Sequence, residues 1–212
     1  MFDYEALKNA IGDLDEDAVN SLLDDFVTTA SAEEAQKALE ACQDGMEIVG
    51  ARYEEGDYFV AELIFAGDVM AQAAALLKPL IAEGQTTSVG KLVICSAKGD
   101  IHDIGKNIVK ALLEASGVEC IDLGVDVPIE KVVDAVKESG SKVLAVSGVL
   151  TLAIDAMKDY VDALIEVGIR DEVKVIIGGA VATADYCTFV GADAWSTNAA
   201  EGVTICRSWL AS

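Results

Sequence analysis

The chain's single histidine, His102, sits in the run Gly99-Asp100-Ile101-His102-Asp103-Ile104-Gly105-Lys106-Asn107, with a carboxylate on either side of it. A neutral imidazole ligates a metal through one ring nitrogen while the other donates its proton to a carboxylate or carbonyl, which fixes the tautomer and raises the basicity of the ligating atom. Asp100 is the candidate for that partner, and Gly105 is small enough to let a bulky group pass close to the backbone. A lone histidine is more often structural than ligating, so the run gains weight only from its surroundings.

Two other uses of such a loop fail on spacing. A phosphate loop needs GxxxxGK[ST], but five residues separate Gly99 from Gly105, and Asn107 stands where the magnesium-binding hydroxyl belongs. A dinucleotide fingerprint needs a middle glycine for close approach of the pyrophosphate, and Ile101 and His102 fill that space.

The elements that must position the run follow a regular order. Runs of β-type at 91–96, 119–123, 143–147, 173–177 and 192–196 alternate with helical patterns near 104–116, 129–139, 153–167, 181–189 and 199–210. Such alternation implies βαβ units and a flavodoxin-like, Rossmann-type five-stranded parallel sheet, with ligands bound beyond the carboxyl ends of the strands. The histidine run is the loop after the first strand.

The front of the chain has helical periodicity instead. Ser31 and Glu34 form a capping box ahead of Ala35, Leu39, Cys42, Met46 and Val49, predicting a helix to about Glu55. Asp57 is read as the cap of a further helix containing Phe59, Leu63, Val69 and Met70, which Pro79 should end. Two shorter helices, near 4–10 and 17–28, complete a four-helix bundle. The segment 84–90, GQTTSVG, reads as a linker and hinge, giving a helical cap over 1–88 and an α/β domain over 89–212.

Composition narrows the partners. With 15 basic and 37 acidic residues the net charge is −22, which repels a nucleic-acid backbone or an anionic membrane surface. The first 88 residues hold 4 of the basic and 19 of the acidic groups. The five cysteines form no CxxC pair and are odd in number, which favours buried, reduced thiols over disulfides or a zinc site. Residues 1–7 carry Asp3 and Glu5 where a signal peptide needs positive charge, and no apolar run is read as approaching the ~18 residues of a membrane span. The expectation is a cytoplasmic protein.

Asp100, His102 and Gly105, in the order DxHxxG, resemble the signature of cobalamin-binding domains in methionine synthase and in the corrinoid proteins of methyltransferase systems. Ser147-Gly148-Val149-Leu150-Thr151 after the third strand resembles their SxL segment, and Ile177-Gly178-Gly179-Ala180 after the fourth resembles their GG segment. Gly45-Met46 and Phe59-Val60-Ala61-Glu62-Leu63-Ile64 look like the helical cap that accompanies these domains.

The resemblance implies a cobalamin whose own base is displaced, with His102 as lower axial ligand to cobalt and Asp100 behind it. Gly99, Asp103, Ile104 and Gly105 would be further cofactor-binding residues of that loop. Ser147, Leu150, Thr151, Gly178, Gly179 and Ala199 would line a channel for the nucleotide tail, the hydroxyls bonding its polar groups and the glycines leaving room. Phe59 and Leu63, one helical turn apart, would cover the upper face. Taken singly, a hydroxyl after a strand also caps helices and a Gly-Gly pair also makes turns. In methionine synthase a serine two places after Thr151 extends the Asp–His pair; here Ala153 stands there, which puts a three-member proton relay in doubt.

The implied activity is that of a non-catalytic methyl carrier cycling between cob(I)alamin and methylcob(III)alamin. Its partners would be a substrate-specific methyltransferase and a second methyltransferase acting on an acceptor such as tetrahydrofolate or coenzyme M. Need for a reductive activase stays open. The rivals are a cobalamin-binding mutase subunit or regulator, and a flavodoxin-like FMN-binding or signalling domain.

Overall fold

Side-chain caps set where the helices of the first unit begin. The computed structural model describes residues 2–81 and 89–211, apart from the side chain of Glu54. Asp3 and Asp15 each accept a backbone N–H three residues on, at 2.9 and 3.0 Å, and open α1 (Tyr4–Gly12) and α2 (Glu16–Thr29). The Ser31–Glu34 capping box is formed and starts α3 (Ala32–Glu55), which stops at Gly56 in the left-handed region, φ 85°. The fourth helix, α4 (Val60–Leu77), differs from expectation at its start. Asp57 is not its cap; its N–H turns back to the Arg52 carbonyl, while Glu62 accepts the Phe59 N–H at 2.9 Å. Pro79 lies in the 3₁₀ turn Lys78–Leu80 that follows.

The expectation that no apolar stretch reaches the length of a membrane span does not hold. Residues 60–80 are long and apolar enough by composition, with a mean hydropathy of 1.6. In the helical unit, however, α4 packs against α1, α2 and α3, and Leu63, Ala66, Val69, Met70 and Leu77 are buried there. Its packed face accounts for part of that hydropathy, 39% of the apolar window being buried, while Val60, Ile64, Phe65 and Leu76 stay exposed. Residues 84–88 of the expected linker, and with them the boundary at 88–89, lie on or beside residues outside those described; Val89 and Gly90 are described, Gly90 opening the first strand.

The second unit is α/β. Among the described residues its strands are β1 (Gly90–Ser96), β2 (Val118–Asp122), β3 (Val143–Ser147), β4 (Lys174–Gly178) and β5 (Ala194–Ser196), all parallel, in the order β2-β1-β3-β4-β5. The helices α5 (Ile104–Ala115), α6 (Ile129–Ser139), α7 (Ala153–Glu166), α8 (Ala184–Val190) and α9 (Ala199–Leu210) make the crossovers. The strand order reverses between β1 and β3, which is where open parallel sheets bind ligands. Register does the fine placement: Ser96 pairs with Ser147, Ser147 with Gly178, and Gly178 with Ser196, a row of small residues across the carboxyl edge.

Two boundaries move for local reasons. Thr183 caps α8 by accepting the Tyr186 N–H, so that helix starts at Ala184 rather than near residue 181. The Ala192 and Asp193 N–H groups bond to Cys187 and Val175, which delays β5 to Ala194.

Candidate functional site

The loop leaving β1 is fastened at each peptide N–H from Ala97 to Asp100. The Ala97 N–H donates to the Ser147 carbonyl at 2.9 Å, that of Lys98 to the Tyr160 hydroxyl at 2.8 Å, that of Gly99 to Asp126 Oδ1 at 2.7 Å, and that of Asp100 to the Ala97 carbonyl at 3.0 Å. Gly99 needs to be glycine because its φ is 80°. Farther along, the Ser96 hydroxyl donates to the His102 carbonyl at 2.9 Å.

Asp100, fully buried, is the centre of the arrangement. Its Oδ1 accepts both the His102 N–H, at 3.0 Å, and His102 Nδ1, at 2.7 Å. Its Oδ2 accepts the N–H groups of Val149 and Leu150, at 2.7 and 3.0 Å, and so joins the loop after β3 to the loop after β1. Burial works against the charge, but the backbone donors of Leu150, Val149 and His102, with the imidazole, outweigh it and hold the carboxyl down to about 2. A carboxylate so held can only accept, which places the neutral imidazole's proton on Nδ1 and leaves the Nε2 lone pair free. The His102 side chain is 50% exposed, so Nε2 is both available and reachable.

The other flanking carboxylate does not join. Asp103 accepts from Asn107 Nδ2 at 3.1 Å at the start of α5. The loops that carry or contact Asp100 expose the apolar residues Ile101, Val125, Val149, Leu150 and Leu152, with Ile104 exposed at the start of α5, alongside the charged Asp103 and Asp126. Exposed apolar residues gathered in this way mark a binding surface.

Along the same edge lies a cavity of about 110 Å³. Its lining includes Ser147, Gly178, Gly179 and Ala199, as expected, along with Gly105, Ser196, Asn198 and Gly202. A Cβ on Gly105 or Gly202 would meet no atom within 4 Å, so at these positions glycine holds open space. Gly179 is different. Its φ is 92° and a Cβ there would come within 2.2 Å of the Gly148 carbonyl oxygen, so backbone packing demands this glycine irrespective of any ligand.

Thr151 is exposed and outside the cavity lining, its carbonyl accepting the Ile154 N–H, and Leu150 reaches Asp100 through its backbone. Among the described residues the Ser147 hydroxyl has no hydrogen-bond partner, and it faces the cavity wall. Ala153 is buried, and among the described residues no side-chain hydroxyl bonds to Asp100. In the helical unit Phe59 is 68% exposed, whereas Leu63 is 1% exposed in the helix core; the exposed apolar residues at the start of α4 are Phe59, Val60, Ile64 and Phe65. The pairing of Phe59 with Leu63 on one open face is therefore corrected.

Several residues that build the site escape a sequence reading. Lys106, buried at the cavity wall, is bonded to both oxygens of Asp122 at 2.8 and 2.7 Å and to Asn107 Oδ1. Burial opposes the charge of Asp122, but Lys106 and the Gly124 N–H bring its carboxyl below the ordinary value. Asp126 and Tyr160 lie 27 and 62 residues from the peptides they hold, with no local pattern to reveal them. Gly202 could have been found as a lone glycine inside a helical pattern.

The donor set fits a corrinoid. Among the described residues no group of three or more His, Cys, Asp or Glu side chains could hold a bare metal ion. A metal at His102 Nε2 must bring its other ligands with it, and the apolar surround and glycine-walled cavity suit a large ring with an appended tail.

A family model described as a B12 binding domain matches residues 90–204, and a second of the same description matches residues 4–78. A dimethylamine corrinoid protein of Methanosarcina mazei is 39% identical over 167 residues, covering 78% of this chain and 100% of its own. The crystal structure of a cobalamin-binding protein from Desulfitobacterium hafniense superposes with a TM-score of 0.87 at 46% identity, covering 99% of each chain. The methanol:cobalamin methyltransferase complex MtaBC of Methanosarcina barkeri superposes with a TM-score of 0.83 at 29% identity, over 97% of this chain and 78% of that one. These matches do not favour the flavin, signalling or regulator readings. With the site and the comparisons in agreement, the chain belongs to the B12-binding corrinoid proteins of methyltransferase systems, and cobalamin is its cofactor.

Proposed function

We propose that this chain is a methyl carrier in which His102 Nε2 would hold the cobalt of a bound corrinoid. The observation that carries the reading is the half-exposed imidazole with Nδ1 tied to a buried carboxylate at 2.7 Å. When bound, the corrinoid supplies a cobalt centre able to accept a methyl group from one donor and release it to another. The chain's own residues supply direction. Asp100 selects the Nδ1–H tautomer and strengthens Nε2 as a donor, while Val149 and Leu150 keep Asp100 from turning away. The cavity walled by Gly105, Ser147, Gly178 and Gly202 would take the cofactor's nucleotide tail, with the Ser147 hydroxyl available for one of its polar groups.

The partners proposed are methyltransferases: one specific for the methyl donor and one for the acceptor, tetrahydrofolate or coenzyme M being the acceptors the family resemblance suggests, with a reductive activase as a further candidate. A solved relative is itself part of a methyltransferase complex, which supports the first part of this reading. The five free thiols fit the reducing cytoplasm.

Reconstitution with methylcobalamin tests the axial bond. The wild type and His102→Ala should both bind pigment but differ in absorption spectrum, the variant showing cobalt without a protein nitrogen. Identical spectra would remove His102 from the coordination sphere and end this reading.

A further inference from the structure

Granting the His102–cobalt bond proposed above, we infer that Asp126 and Tyr160 are positioning residues that set how firmly the imidazole is presented to the metal. Neither touches His102. Between them they hold Lys98, Gly99 and Asp100, which lead to it. The Tyr160 hydroxyl, on α7 and fully buried, accepts the Lys98 N–H at 2.8 Å and donates to the Val127 carbonyl at 2.6 Å. Asp126, next to Val127, accepts the Gly99 N–H through Oδ1 at 2.7 Å and donates its own N–H to the Asp100 carbonyl at 3.0 Å. The loop after β2 is thereby clamped to the loop after β1 on the side opposite the Val149 and Leu150 donors, so Asp100 is held from two directions.

Asp126 adopts a left-handed backbone, φ 49°, at an exposed loop position. A non-glycine residue there is uncommon and persists where its surroundings require it. The requirement here is a side-chain acceptor oxygen: glycine would satisfy the backbone but not the Gly99 N–H. Tyr160 is similarly over-specified, a buried phenol with both its donor and its acceptor used on loop backbone. The direction of Asp100 Oδ1, and with it the orientation of the ring, follows from where Lys98, Gly99 and Asp100 are kept. A looser clamp leaves the cofactor site intact and lowers the fraction of time Nε2 faces the metal.

Three variants test the clamp. Tyr160→Phe removes one hydroxyl; Asp126→Gly removes the carboxylate and keeps the left-handed backbone; Asp126→Asn restores an acceptor in a residue that tolerates that backbone. In cofactor-free protein, amide hydrogen exchange at Lys98 and Gly99 should quicken in the first two and stay near wild type in the third. In protein loaded with methylcobalamin, absorption spectra should show the ratio of imidazole-bound to imidazole-free cobalt falling by about three- to tenfold in the first two, the size of one lost hydrogen bond, with Asp126→Asn close to wild type. Wild-type ratios in folded Tyr160→Phe and Asp126→Gly overturn the inference. So does unchanged exchange in both, and that result stands whether or not cobalt binds His102; failure of the axial bond itself shows separately, as a wild-type spectrum matching His102→Ala. Asp126→Gly, altered at an exposed site, decides the matter if Tyr160→Phe does not fold.

Discussion

Around His102 the peptides from Ala97 to Asp100 each donate to a defined acceptor, three of them on distant segments. Farther along the same edge of the sheet, the cavity is walled by Gly105, Gly178, Gly202 and aliphatic side chains, with Lys106, Ser147, Ser196 and Asn198 among them. The difference teaches what each part must do. A ligating nitrogen has a lone pair with a direction, and hydrogen bonds, which are directional, can aim it. A bulky tail needs volume, and the means of providing it is to leave side chains out.

The contrast can be broken first at Gly179, where the two regions meet. Gly179→Ala should destabilise the cofactor-free protein by about 3 kcal/mol, combining a left-handed non-glycine residue with an overpacked contact on Gly148. Thermal unfolding would measure it, and a loss below about 1 kcal/mol would mean the loops after β3 and β4 can separate freely.

Asp100→Asn is the next test. The carboxyl lies at about 2 in the folded chain against an ordinary 3.8, so folding favours the ionised form. Its contribution, on the order of 2 kcal/mol, is complete above the unfolded value and fades as pH falls from about 4 towards 2. Cofactor-free wild type should therefore exceed Asp100→Asn in melting temperature at pH 7, with the gap narrowing over that acid range. A gap that stays constant to pH 2 would show that the carboxylate charge is not what the loop donors stabilise.

The smallest effect has the opposite sign. Gly105 lies in the first turn of α5 with open space beside it, so Gly105→Ala should raise the stability of the cofactor-free protein by about 0.5–1 kcal/mol. The same methyl should weaken methylcobalamin binding, because Gly105 lines the cavity proposed above for the cofactor. Titration of cofactor into the two proteins, alongside their melting curves, would sharpen the division between a region tuned for geometry and one tuned for room; equal affinities would place the cofactor elsewhere.

How much could be read in advance depended on distance along the chain. Strand and helix order was legible because periodicity and caps are local: the Ser31–Glu34 box and the β3 run 143–147 stand where the residues put them. The Asp100–His102 pair was legible for the same reason, being two residues apart. Asp57 misled because a good capping type was present two residues early, while Glu62 satisfied the Phe59 N–H instead. The α4 segment misled in the other direction, since an apolar run carries no mark of what will surround it.

By itself the sequence determined which atom could ligate, which carboxylate stands behind it, and that both lie on a loop at the carboxyl edge of a parallel sheet. Only the tertiary structure decided that Asp103 turns away, that Leu63 is core, that Gly179 serves backbone packing, and that Tyr160 and Asp126 hold the loop. The reason is physical. Propensity and periodicity act over a few residues, whereas the acceptors for Lys98 and Gly99, and the Val149 and Leu150 donors to the Asp100 carboxylate, come from segments 27 to 62 residues away, and nothing short of the folded sheet brings them within hydrogen-bonding reach.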